Sequence, residues 1–326
     1  MTLQLDTGGH LRHLLTLRGL PRALLVELLD RAEHYSLTGD RPVPNYGRLG
    51  GATVVNLMCE PSTRTRASFE LAARRLGATV LDFDVSNSSQ SKGETLLDTV
   101  FTLEAMRCDV FVIRTGERGV LDLLAQRVGP RVAIINAGES NRSHPTQGLL
   151  DVLTIRRYHP DTSRLTVAIV GDVRHSRVAR STVDALQVLG VGELRLCAPP
   201  AMLPDADELP GARLLTDVDT AVAGADVVMA LRIQRERMRS EEMPQPQDYF
   251  MRYGLTRARI AKASPRVMLM HPGPVNRDLE IASELIEDPR SVIREQVANG
   301  VAVRMAVLER LWHGLQRDEL LSPATR

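Results

Sequence analysis

Ser62-Thr63-Arg64-Thr65-Arg66 sets hydroxyls and two guanidinium groups in one short turn, between an apolar run at Val54 to Met58 and a helical pattern from Ala67 to Leu76. The apolar run reads as a buried strand, and Phe69, Ala72 and Leu76 recur at helical spacing until Gly77 stops the helix. The first-turn N–H groups of such a helix have no partner within it and carry the positive end of its dipole. Hydroxyls and an arginine fork beside them make the turn a cradle for a phosphate. Arg64 and Arg66 are two apart and leave on different helix faces, so Arg64 is assigned to the anion and Arg66 to a supporting role.

Further polar groups follow other apolar runs. Ser88 and Lys92 lie in the polar stretch Ser86 to Thr95, Arg114 closes the run from Val110, and His144-Pro145-Thr146-Gln147 opens a helical pattern. Later come Arg177, the pair Arg232 and Gln234, and the rigid turn His271-Pro272-Gly273-Pro274. Taken singly, each also has a bland reading: an exposed loop, a plain ion pair, a packed or capping histidine, a tight turn. Val170-Gly171-Asp172 resembles a dinucleotide fingerprint, but the next residues, Val173 to Arg177, lack its second and third glycines.

The elements that must hold these groups are short β-rich runs at Val54 to Met58, Thr79 to Phe83, Val110 to Ile113 and Val132 to Asn136. They recur at Leu165 to Val170, Leu194 to Ala198, Val227 to Leu231 and Val267 to Met270, mostly with helical patterns between. Near-continuous aliphatic strands alternating with helices predict α/β architecture, two domains each with a mostly parallel sheet flanked by helices. The boundary is set in the helical segment Pro145 to Tyr158, giving domains 1–146 and 147–301. The amphipathic segment Ser291 to Leu315 returns a C-terminal helix, about 302–326, to the first domain. Met202 to Pro210 reads as a surface loop. The chosen polar residues then fall at strand carboxyl ends, where open α/β sheets bind ligands. Two such sheets facing across a cleft would gather five arginine or lysine residues around small, multiply anionic substrates.

Composition narrows the classes. Of 326 residues, 41 are basic and 40 acidic, so the formal charge of +1 supplies no strong field for nucleic acid or an anionic membrane. No apolar run approaches a membrane span, and Met1 to Leu17 lacks a signal-peptide pattern, so a cytoplasmic protein is expected. Cys59, Cys108 and Cys197 are far apart and read as packing residues, and neither a metal nor a cofactor is expected.

As an ordered set, S-T-R-T-R, S-x-x-x-K-G-E, the strand-end arginine, H-P-T-Q, the later arginines and H-P-G-P resemble the aspartate and ornithine transcarbamoylase family over nearly the whole chain. The form of the His271 turn and the Arg232-x-Gln234 element resemble the aspartate branch. Pro61 and Met58-Cys59 depart from the family's usual residues before the first motif. The resemblance implies a carbamoyl-phosphate domain and an aspartate domain, assembled as a homotrimer with active sites shared between subunits. It implies that Ser62, Thr63, Arg64, Thr65, Ser88, Arg114, His144, Gln147, Gly273 and Pro274 bind carbamoyl phosphate. Lys92, Arg177, Arg232 and Gln234 would bind L-aspartate, with Ser88 and Lys92 entering from a neighbouring subunit. Arg64, Thr65, Lys92, Arg114 and His144 would serve catalysis, and the Gly273-Pro274 bond would be cis. The implied reaction is carbamoyl transfer to aspartate, an early step of de novo pyrimidine biosynthesis. A larger assembly with a dihydroorotase-like or regulatory chain is compatible with the sequence.

Overall fold

A computed structural model describes residues 3–36, 43–83, 94–234 and 245–321. Packing divides the chain into two compact units. One holds Met1–Leu17, Ala23–Thr146 and Gly300–Arg326; the other holds Arg18–Arg22 and Gln147–Asn299.

In the first unit, β1 (Thr53–Met58), β2 (Thr79–Phe83), β3 (Val110–Thr115) and β4 (Ala133–Glu139) form a parallel sheet in the order β2-β1-β3-β4. Helices α1 (Arg22–Tyr35), α2 (Thr63–Arg75), α3 (Leu96–Ala105) and α4 (Val120–Arg127) accompany it. Both faces of the central strands must be covered, which is why they are nearly all apolar. Val55, Leu57, Phe111 and Ile113 pack with Val100 and Leu103 of α3 and with Leu121 and Leu124 of α4. Each such side chain, once fully buried, contributes roughly 1.5–3 kcal/mol. In α1, Leu24, Leu25, Leu28, Leu29 and Ala32 recur every three or four residues and are buried.

The second unit opens on α5 (Pro145–Tyr158), most of which belongs to it, and continues with β5 (Thr166–Val170), α6 (Arg177–Leu189), β6 (Glu193–Cys197) and β7 (Arg213–Leu215). Then follow α7 (Val218–Val222), β8 (Val227–Ala230), α8 (Pro246–Tyr253), α9 (Arg257–Ile260), β9 (Met268–Met270) and α10 (Ser283–Ile286). The sheet is parallel, in the order β7-β6-β5-β8-β9. Tyr249 and Tyr253 of α8 stack with ring centroids 5.5 Å apart and join Val170, Val228 and Ala230 in the core.

The last helix, α11 (Ile293–Leu321), passes to the first unit at Gly300. There the buried Glu309 accepts hydrogen bonds from the Tyr35 hydroxyl at 2.7 Å and from Arg31 at 3.2 Å, and the Arg304 guanidinium lies 4.9 Å above the Phe69 ring. Such cation-π contacts are worth about 0.5–2 kcal/mol.

The two-domain α/β architecture with a returning C-terminal helix is therefore the observed fold. Each apolar run expected to be a strand holds one, and the segment Pro145 to Tyr158 is helical as read. Sequence periodicity missed β7, three residues long and partly exposed at a sheet edge, because so short a run has no readable pattern.

Candidate active site

In the first sheet the chain runs from β1 to β2 on one side, then crosses to β3 on the other, so the strand order reverses between β1 and β3. A crevice at the carboxyl ends is the geometric consequence. Register places Met58 opposite Arg114, and the Cys59 N–H donates to the Arg114 carbonyl at 2.8 Å. The turn at 59–65 and the strand-end arginine thus leave the sheet side by side. Arg114 is largely buried, with Nε 3.5 Å from Glu60 Oε2 and Nη1 donating to the Ala137 carbonyl at 3.4 Å.

Ser62 is the N-cap of α2, in extended conformation, and its side chain makes no capping hydrogen bond. The first-turn amides are therefore left without the oxygen that such a serine usually supplies. Thr63 and Arg64 are exposed on that turn, and Thr65 is buried. Arg66 is engaged elsewhere: its Nε lies 2.6 Å from Asp82 Oδ2, joining α2 to β2. A depression of about 300 Å³ beside the turn includes Ser62, Thr63 and Arg66, but Glu60 and Glu70 also line it. Two carboxylates make that hollow a poor anion site.

The second sheet reverses between β5 and β8. Here the strands approach so closely that a Cβ on Gly171, whose φ is +134°, would lie 2.5 Å from the Leu231 carbonyl oxygen. The Leu231 N–H donates to Val170 at 2.7 Å. Next to this contact, buried Asp172 accepts the Gln234 N–H at 3.1 Å and lies 2.8 Å from His175 Nδ1. Burial raises the Asp172 pKa, and the adjacent His175 opposes that rise. Arg232 donates to Gln234 Oε1 at 3.3 Å, so these two predicted residues are neighbours at the switch point. Arg177 is the first residue of α6, only 5% exposed, and Ser176 caps that helix by accepting the Ala179 N–H at 3.1 Å.

At the end of β9, His271 is fully buried. Its Nδ1 accepts the Gly273 N–H at 2.8 Å and its Nε2 faces Glu280 Oε1 at 3.1 Å. The Gly273-Pro274 bond is cis. His144 is buried immediately before α5, and Gln147 on its first turn donates from Nε2 to Asp151 Oδ1 at 2.9 Å. Ser88 and Lys92 lie outside the described residues.

Asp151, Asp172 and Gln296 were missed by sequence reasoning, because nothing in their local spacing separates a buried acceptor from a solvated polar residue. Asp172 had a partial signal, an acid directly after a strand and a glycine. Burial pushes the Cys197 thiol to about 12 and raises that of Cys108, which keeps both protonated at neutral pH. Among the described residues no group of three or more His, Cys, Asp or Glu side chains could hold a metal, and no helix is long and apolar enough to cross a membrane.

Comparison with known proteins also finds two parts in the chain. Residues 12–157 match the model of the aspartate/ornithine carbamoyltransferase carbamoyl-P binding domain, and residues 163–311 match that of the Asp/Orn binding domain. The chain is 53% identical to an aspartate carbamoyltransferase catalytic subunit of Xanthomonas campestris pv. campestris, covering 95% of this chain and 99% of that protein. It is 52% identical to the equivalent subunit of Stenotrophomonas maltophilia, over 94% and 98% of the two chains. Among solved structures, aspartate transcarbamoylase from Trypanosoma cruzi with carbamoyl aspartate and phosphate superposes with a TM-score of 0.79 at 29% identity, over 92% of this chain and 95% of that one. Ornithine carbamoyltransferase from Thermus thermophilus gives 0.80 at 25%, over 92% and 99%. Backbone shape alone therefore does not separate the two substrates.

Proposed function

The chain belongs to the aspartate/ornithine carbamoyltransferase family, and from that premise we propose how its residues divide one reaction. It transfers the carbamoyl group of carbamoyl phosphate to the α-amino group of L-aspartate, giving N-carbamoyl-L-aspartate and phosphate. The observation that carries this reading is the 53% identity over nearly the full chain to aspartate carbamoyltransferase catalytic subunits.

Residues 1–146, with the C-terminal helix from about 302, form the carbamoyl-phosphate domain, and residues 147–301 the aspartate domain. In the first, Ser62, Thr63, Arg64 and Thr65 with the first-turn amides of α2 hold the phosphate; a Ser62 side chain that makes no capping bond supports this. Arg114, His144 and Thr65 donate to the carbamoyl oxygen, with Gln147, Gly273 and Pro274 completing its recognition. Arg177, Arg232 and Gln234 meet the carboxylates of aspartate.

The neutral amino group attacks the carbonyl carbon, the C–O bond to phosphate breaks, and the amine proton leaves with the departing phosphate or solvent. Negative charge on the carbonyl oxygen meets donors already in place, so most of the rate enhancement is electrostatic preorganisation and positioning. His144 acts as a neutral hydrogen-bond donor rather than a general base.

Subunits form a homotrimer in the cytoplasm, and Ser88 and Lys92 reach the site of a neighbouring subunit. Purified protein with carbamoyl phosphate is expected to form carbamoyl aspartate from aspartate and no citrulline from ornithine; the reverse pattern, or no product with either, overturns the assignment. For the shared site, mixing inactive Lys92→Ala and Arg64→Ala chains restores partial activity. No recovery after demonstrated subunit exchange would reject it.

A further inference from the structure

One buried carboxylate outside the groups assigned to substrate touches two of the elements that carry them. Asp151 is fully buried one helical turn after Gln147. Its Oδ1 accepts Gln147 Nε2 at 2.9 Å and Gln296 Nε2 at 2.7 Å, and its Oδ2 accepts the Thr182 hydroxyl at 2.6 Å. An ionised carboxylate only accepts hydrogen bonds, so neither amide can be turned around without setting oxygen against oxygen in a buried place. Gln296 is fixed from both ends, because its Oε1 accepts the His271 N–H at 3.0 Å. From His271 the hydrogen bond between Gly273 N–H and Nδ1 continues the chain into the cis Gly273-Pro274 turn.

We infer that Asp151 is a positioning residue for carbamoyl recognition: it compels Gln147 to offer its carbonyl oxygen, rather than its NH2, to the carbamoyl NH2 of the substrate. Through Gln296 it also holds the His271 to Pro274 turn in register with that acceptor. This rests on the reading that Gln147, Gly273 and Pro274 contact carbamoyl phosphate. The substrate class it specifies is an acyl phosphate with N–H donors on the acyl carbon, against an isostere such as acetyl phosphate that carries a methyl group there.

Asp151→Asn separates geometry from charge. Its carbonyl oxygen can still accept both amides, and its NH2 can donate to the Thr182 hydroxyl, which has the Val178 carbonyl at 3.0 Å as an alternative acceptor. Asp151→Leu keeps the size and removes the acceptors. Gln296→Leu removes only the link to the turn. The experiment measures KM for carbamoyl phosphate and for aspartate, the inhibition constant of acetyl phosphate, and Tm.

Asp151→Leu and Gln296→Leu are expected to raise KM for carbamoyl phosphate by about 10- to 100-fold, since small displacements at a positioned group have effects of that size. KM for aspartate should change less. Asp151→Leu should also narrow the preference for carbamoyl over acetyl phosphate, which a purely structural loss would leave intact. Asp151→Asn should restore both the KM and the preference. Gln147→Leu is the control: if it leaves the carbamoyl phosphate KM unchanged, the site reading itself fails. If Gln147→Leu raises that KM while folded Asp151→Leu and Gln296→Leu do not, the inference fails alone. An Asp151→Asn variant as impaired as Asp151→Leu also overturns it. Should Asp151→Leu not fold, Gln296→Leu decides.

Discussion

The two strand-turn-helix segments at the switch points, β1 to α2 and β5 to α6, use the same residue type in opposite ways. Ser62 and Ser176 both occupy N-caps, yet Ser176 closes its helix by accepting the Ala179 N–H while the Ser62 side chain makes no such bond. The arginines differ in the same sense. Arg64 is exposed on an open helix start, whereas Arg177 is 5% exposed on a capped one. A serine that caps its helix satisfies a first-turn amide within the fold, and one that does not leaves that amide to another acceptor. Two segments alike in outline therefore present different groups at their helix starts.

The buried histidines extend the contrast. His13 in the first unit accepts the Ile134 N–H at 3.0 Å through Nδ1, and among the described residues Nε2 has no hydrogen-bond partner. His271 in the second has a carboxylate facing its Nε2. Burial, with Arg12 nearby, lowers the His13 pKa to about 3. Burial keeps His13 neutral, whereas His271 has a partner at each ring nitrogen.

Four experiments test this contrast, the largest effect first. Arg64→Ala should lower turnover by about 10²- to 10³-fold with Tm almost unchanged, as removal of one preorganised donor does. Near-normal kcat would remove α2 from the site and erase the comparison. Gly171→Ala places a Cβ 2.5 Å from the Leu231 oxygen at a φ of +134°, so chemical denaturation should show a loss of about 2 kcal/mol or more. An unaltered midpoint would mean that the second switch point is not held by this close approach.

The third experiment concerns pH. Because the folded-state pKa of His13 lies below its ordinary value of 6.5, the unfolded chain takes up the proton first on acidification. The His13 contribution is complete above pH 6.5 and is lost as pH falls toward 3, at roughly 1.4 kcal/mol per pH unit. His13→Asn keeps an acceptor for the Ile134 N–H but cannot take a proton. It should be less stable at neutral pH yet show a flatter decline between pH 6.5 and 4. Equal slopes would mean that His13 is not the group responsible.

The smallest effect is the sharpest test. Ser176→Ala should cost about 1 kcal/mol through loss of a cap, whereas Ser62→Ala should cost only a few tenths because no cap is lost. Ser62→Ala should instead weaken carbamoyl phosphate, read as a raised KM. Equal stability losses would contradict the distinction between an open and a closed helix start.

Local chemistry along the chain determined the strands, most helices and the order of the polar motifs, because apolar runs and helical spacing depend on neighbours in sequence. The turn at Ser62, Arg114 at a strand end and the rigid His271 turn were legible for the same reason. Tertiary structure decided what no spacing encodes: that Arg114 emerges beside residue 59, that Asp172 holds Gln234, and that Asp151 joins Gln147 to Gln296. Those pairings join residues as many as 145 positions apart, and a buried polar group must find its partner in space, wherever the chain has left one.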